Sequence, residues 1–122
     1  MGLNRIVMRL ARNPGTEFAD GDDHRGYSLV APLTPDSKLD EAEFRAHRGE
    51  CVVRRFAPDE DPVEGKLARR GERWFFDYGD DTEADEPLYR LGDHRFAVGE
   101  YVSITDEDGR LLTYKVTEVV PA

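Results

Sequence analysis

Two Asp-His dipeptides, Asp23-His24 and Asp93-His94, are the residues of this chain whose types could hold a metal, with Asp22 beside the first. Imidazole and carboxylate together suit zinc or non-haem iron. Neighbours on a strand, however, point to opposite sides, and neither dipeptide has the i, i+4 spacing by which a helix presents two ligands on one face. His47 lies far from both in sequence. The spacing therefore favours ordinary turn residues, and no metal or other cofactor is expected. A metal-assisted enzyme using His24 and His94 with Asp22 or Asp23 stands as one alternative.

A second constellation is cationic. Arg54, Arg55, Arg69, Arg70 and Arg73 gather in sequence around Trp74, and guanidinium groups beside an indole can bind phosphate or nucleic-acid bases. Glu60, Asp61, Glu64 and Glu72 lie among them and neutralise much of that charge. An RNA or nucleotide binder using Trp74 and these arginines is the other alternative. Nucleophilic chemistry finds little support. Cys51 opens an apolar strand and reads as a small buried hydrophobe, and Ser28, Ser37 and Ser103 lack a nucleophile-elbow context. Neither acidic stretch, from Asp77 or from Asp106, has the Gly at the sixth and Glu at the twelfth position that a calcium loop needs.

The elements that would carry these residues are mostly strands. From Val98 to Val119 the apolar residues alternate on either side of a glycine turn, which predicts a hairpin. A three-residue loop of Glu107, Asp108 and Gly109 pairs Ile104 with Leu112, Val102 with Tyr114 and Asp106 with Arg110, and keeps the apolar face unmixed. A second hairpin spans Gly65 to Tyr78, turning at Gly71-Glu72. It sets Leu67 opposite Phe76, Ala68 opposite Phe75, Lys66 opposite Asp77 and Arg69 opposite Trp74. Strands are also expected at 4–12, 26–33, 51–56 and 88–91. Residues 16–25 form a polar loop, and Asp59-Glu60-Asp61-Pro62 a turn.

One helix is marked, at 41–48. Asp40 and Glu43 form a capping box, Leu39 and Phe44 a hydrophobic staple, and Gly49 the stop. So short a helix must dock on the sheet to persist. The fold class is thus mainly β, a small antiparallel barrel or sandwich with one short α-helix near residues 41–48, in a single domain of 122 residues. Trp74, Phe76, Ile104, Leu112 and Val116 are expected to share its core.

The net charge of −9 is uneven, because residues 79–122 hold 4 basic and 11 acidic side chains. That balance disfavours sequence-independent nucleic-acid binding, which neutralises phosphates, and suits a protein partner with a basic surface. A single cysteine, no apolar run of membrane-spanning length and no signal-peptide pattern make a cytoplasmic protein the expectation. The binding candidates are Arg69, Arg70 and Arg73 at the hairpin end, with Asp80, Asp81 and Glu83 in the acidic run.

The segment from Phe96 to Val102, then the glycine turn and Tyr114-Lys115-Val116, resembles the closing strands of SH3-like and related small barrels. RLARNPG, DDHRGYSLVAPL, RRFAPDEDP and EPLYRLGDHRF together resemble a family of small uncharacterised bacterial proteins. Neither resemblance carries an activity or a functional residue. The reading that results is a non-catalytic binding or adaptor module that meets a protein partner through charged loops.

Overall fold

The structure, a computed structural model, describes residues 2–71, 73–78, 86–87 (backbone only), 94–105 and 110–122. Among the described residues eight antiparallel strands form one sheet: β1 Leu3–Leu10, β2 Asp22–Pro32, β3 Val52–Ala57, β4 Glu60–Arg70, β5 Arg73–Asp77, β6 Glu86–Pro87, β7 Tyr101–Thr105 and β8 Leu111–Pro121. The spatial order is β6-β5-β4-β3-β2-β1-β8-β7. The sheet curls until its outermost strands, β6 and β7, approach within 8 Å between Cα atoms. Of the two expected architectures, it is the barrel-like one that forms.

The pattern of burial explains the curl. Strands β1, β2, β5, β7 and β8 alternate buried and partly exposed residues, so one face of these strands is apolar and turns inward as the sheet curls. Ile6, Met8, Tyr27, Leu29, Val53, Phe76, Phe96, Val102, Ile104 and Val116 are buried to within 1%. All five expected core residues lie inside, with Trp74 the most exposed of them at 5%. Across the interior the Tyr27 ring meets Phe76 and Tyr114, each 5.1 Å away between centroids.

Both hairpin registers follow the sequence pattern. Lys66, Leu67, Ala68, Arg69 and Arg70 face Asp77, Phe76, Phe75, Trp74 and Arg73, and Gly71 takes the left-handed φ of 65° that the turn requires. In the C-terminal hairpin Val102 faces Tyr114, Ser103 faces Thr113 and Ile104 faces Leu112. The proposed loop at Glu107 to Gly109, the Asp106–Arg110 pair and the strand at 88–91 lie outside the described residues.

Of the boundaries that differ from expectation, three have a clear local cause. The helix α1 is Glu41–Ala46, and residues Arg48–Glu50 form a separate 3-10 turn containing Gly49. His47 breaks the helix at φ −129°, where its ring lies 3.6 Å from Glu43 and 3.3 Å from Glu50. Asp40 caps Glu43 as expected, but its own N–H donates to the Pro32 carbonyl, tying the helix start to β2. Second, β2 begins at Asp22, inside the expected polar loop. A bulge separates the pairs Arg9–Gly26 and Leu10–Asp22, and Asp22 accepts the His24 N–H within it. Third, the acidic turn is only Pro58-Asp59, and Glu60, Asp61 and Pro62 belong to β4. There β4 pairs with β3 alone and β5 starts further along, so the missing N–H of Pro62 is tolerated.

Candidate functional site

The two ends of the barrel are built differently. At one end, a mouth of about 270 Å³ opens above Leu10, Gly26, Tyr27, Leu112 and Tyr114. The loop after β1 lies across it. Asn13, the one buried polar side chain among the described residues, anchors that loop. Its Nδ2 donates to the carbonyls of Ala11 (2.8 Å) and Thr113 (3.1 Å), and its Oδ1 accepts the Thr113 N–H at 2.9 Å. The Asn13 N–H donates to the Phe18 carbonyl, and the Thr16 hydroxyl accepts the Phe18 N–H. Phe18 is thereby fixed at the rim.

Two guanidinium groups sit over the Phe18 ring, Arg25 at 5.0 Å and Arg110 at 5.7 Å from its centroid. Each is also held by a carboxylate. Arg25 Nε donates to Asp22 at 3.1 Å, with Glu60 at 3.8 Å, and Arg110 Nη1 donates to both oxygens of Glu17 at 2.9 and 2.8 Å. The Arg110 hydrogen bond, and then the Glu17 N–H, hold the Glu17 carboxyl below its ordinary range. This pairing is complete above the ordinary carboxylate range and is lost as pH falls through the lowered value. Arg55, a third cation lining the mouth, lies over Tyr78.

The arginines are turned inward, Arg25 and Arg110 being 34% and 37% exposed, whereas Glu17 and Glu60 are 61% and 66% exposed. With exposed Asp61 they give the mouth an acidic outer rim over an aromatic floor.

The opposite end is plugged. Phe44 of α1, 2% exposed, packs edge-on against Trp74 at 4.9 Å. Arg69 lies 5.4 Å from the Trp74 centroid and pairs with Glu41, which also accepts from Arg45. The Trp74 face is covered on both counts, so it provides no platform for base stacking. Arg70 and Arg73 face one another on the outer side of the hairpin, with Arg70 over Phe75 at 5.2 Å. Of Arg69, Arg70 and Arg73, it is Arg69 that lines the concavity beside Phe44. Asp80, Asp81 and Glu83 lie outside the described residues.

His24 and His94 are not brought together. His24 is at the start of β2, while residue 96, two beyond His94, donates its N–H to Ser37, past the far end of that strand. The length of β2 between His24 and Pro32 is roughly 26 Å. Among the described residues no three histidine, cysteine, aspartate or glutamate side chains are grouped to hold a metal.

Cys51 is fully buried, its Sγ 3.4 Å from the His47 carbonyl, and burial and then Glu50 push its thiol up to about 11. It is a thiol at neutral pH and not an activated nucleophile. Modification by iodoacetamide at pH 8 is therefore expected only through opening of the fold, slower by orders of magnitude than in denaturant. Mass-spectrometric time courses would check this, and rapid labelling of the folded protein would contradict the burial.

No helix among the described residues is long and apolar enough to cross a membrane. Comparison of the chain with protein-family models, with curated proteins and with solved structures finds no match.

Proposed function

We propose that this chain is a non-catalytic binding module, with the barrel mouth as its binding site and a basic segment of a protein partner as its ligand. The observation that supports this reading is the layering of the mouth. Outward carboxylates of Glu17, Glu60 and Asp61 meet an approaching cation first, and the Tyr27 and Tyr114 floor lies behind them for an apolar side chain. Opposed charges steer the encounter, and buried aromatic surface retains what has entered. Small barrels commonly bind in this way, with the ligand at one open end and the side-chain core intact below. The arginines beneath the rim are each seated over a ring, so they serve as wall rather than as competing charge.

A titration of the labelled protein with the tripeptide acetyl-Arg-Leu-Arg-amide, followed by amide chemical shifts, tests the proposal. Saturating changes centred on Gly26, Tyr27 and Tyr114 are expected, weakening as salt is raised. Glu60→Gln combined with Asp61→Asn should weaken the complex about tenfold. An unchanged affinity in that double variant, or tighter binding of acetyl-Glu-Leu-Glu-amide, would overturn it.

A further inference from the structure

At the plugged end a smaller concavity of about 250 Å³ is lined by Phe44, Arg45, Arg48, Arg69 and Gly71. Three of its five residues are arginines, in a chain whose net charge is −9. They come from three separate pieces of structure, α1, the 3-10 turn and the end of β4, which meet because Phe44 docks on Trp74. Among the described residues Glu41 is the one carboxylate paired with them, and it is shared between Arg45 and Arg69. Hydrogen bonding from Arg69 holds the Glu41 carboxyl below its ordinary range.

The next acids along the chain, Glu43 and Glu50, lie against His47 rather than against these arginines. Arg48, 5.7 Å from the Phe44 centroid, has no carboxylate partner among the described residues. The Nε of Arg69 is buried without a hydrogen-bond partner among them, so that guanidinium is not saturated by the packing. Gly71 leaves open space where a side chain would stand. Three cations against one shared anion leave this concavity about two charges short of neutrality, which calls for a compact dianion with several acceptor oxygens.

From this convergence we infer that Arg45, Arg48 and Arg69 form a binding site for a phosphate dianion. The site lies at the opposite end of the barrel from the mouth and does not depend on the function proposed there. Its volume is below the roughly 300–1,000 Å³ of drug-sized pockets, as suits a tetrahedral anion. The ring of Phe44 is buried and Trp74 is covered, so the site reads the phosphate and not a base.

Two sources share this chemistry, free inorganic phosphate and a phosphorylated side chain. Calorimetry and amide-shift titration of the full chain with inorganic phosphate, with acetyl-Ala-phosphoserine-Ala-amide and with its unphosphorylated form separate them. Saturable binding with shifts at Phe44, Arg48 and Gly71 is expected for both phosphate probes. A phosphopeptide about tenfold tighter than phosphate would identify the ligand as a modified chain, and equal affinities would identify the free anion. Arg48 is exposed, so Arg48→Gln should fold normally and weaken both probes about tenfold. Glu41→Gln removes the competing carboxylate and should tighten them, an effect that a purely structural Glu41 would not give. Failure of either phosphate probe to saturate, equal binding of the unphosphorylated peptide, or indifference to Arg48→Gln would overturn the inference.

Discussion

Replacing Gly26 with alanine is expected to destabilise the protein by about 3 kcal/mol, the upper part of the range for overpacking a filled interior. A Cβ at that position would stand 1.9 Å from the Met8 carbonyl oxygen and 3.0 Å from the Arg9 Cα. These are backbone atoms of β1, which is held on its other side by β8 and cannot retreat without breaking a second ladder. The cost is steric, because Gly26 does not use the left-handed conformation reserved for glycine. Gly49→Ala is the matched control, since a Cβ there meets nothing within 4 Å, and it should move stability by less than about 0.5 kcal/mol. Urea unfolding of both variants checks the pair. Near-equal midpoints would mean that β1 and β2 do not press together at the bulge.

The bulge at Gly26 also illustrates what the sequence could reveal and what it could not. Within a hairpin, each residue's partner is a fixed number of positions away, so alternation and charge pairing decide the register. Lys66–Asp77, Arg69–Trp74 and Ile104–Leu112 were legible for that reason. The Asp40 cap was legible because its signal is confined to four residues. Asp61 and Pro62 were misread because proline normally punctuates strands, and only the absence of β5 alongside that part of β4 permits it there.

Both candidate sites, by contrast, arise from the curl of the sheet. Arg110 reaches Glu17 and Phe18 across more than ninety residues, and Arg69 meets Arg45 and Arg48 only because α1 plugs the barrel. No local pattern encodes either meeting. The nearest available signals were an aromatic residue, Phe18, in an otherwise polar loop, and the Asp22–Arg25 spacing that forms a local ion pair. The arginines chosen from sequence were neighbours along the chain, and alternation sends Arg69 to one face of the hairpin and Arg70 to the other.

Truncation of Phe76 is expected to have the largest effect of any single change, a loss of about 4 kcal/mol. The ring is fully buried, faces Leu67 on β4 and lies against Tyr27 at an interplanar angle of 42°. Phe76→Ala therefore removes both a large apolar volume and an aromatic pair from the centre of the barrel. A domain of ordinary stability, about 5–15 kcal/mol, has little left after such a loss. Its neighbour Phe75 points outward beneath Arg70, and Phe75→Ala should cost less than about 1 kcal/mol. Chemical denaturation of the two alanine variants measures the difference, and a larger loss at Phe75 would mean that β5 presents its other face to the core. The comparison also reaches the mouth, because Tyr27 is braced between Phe76 on one side and Tyr114 on the other. With Phe76 shortened to leucine, the fold should survive while the Tyr27 ring loses its brace. Affinity for the acetyl-Arg-Leu-Arg-amide probe should then fall, although no residue that touches the ligand has been changed. If Phe76→Leu instead left that affinity intact, the floor of the mouth would owe its form to β2 and β8 alone.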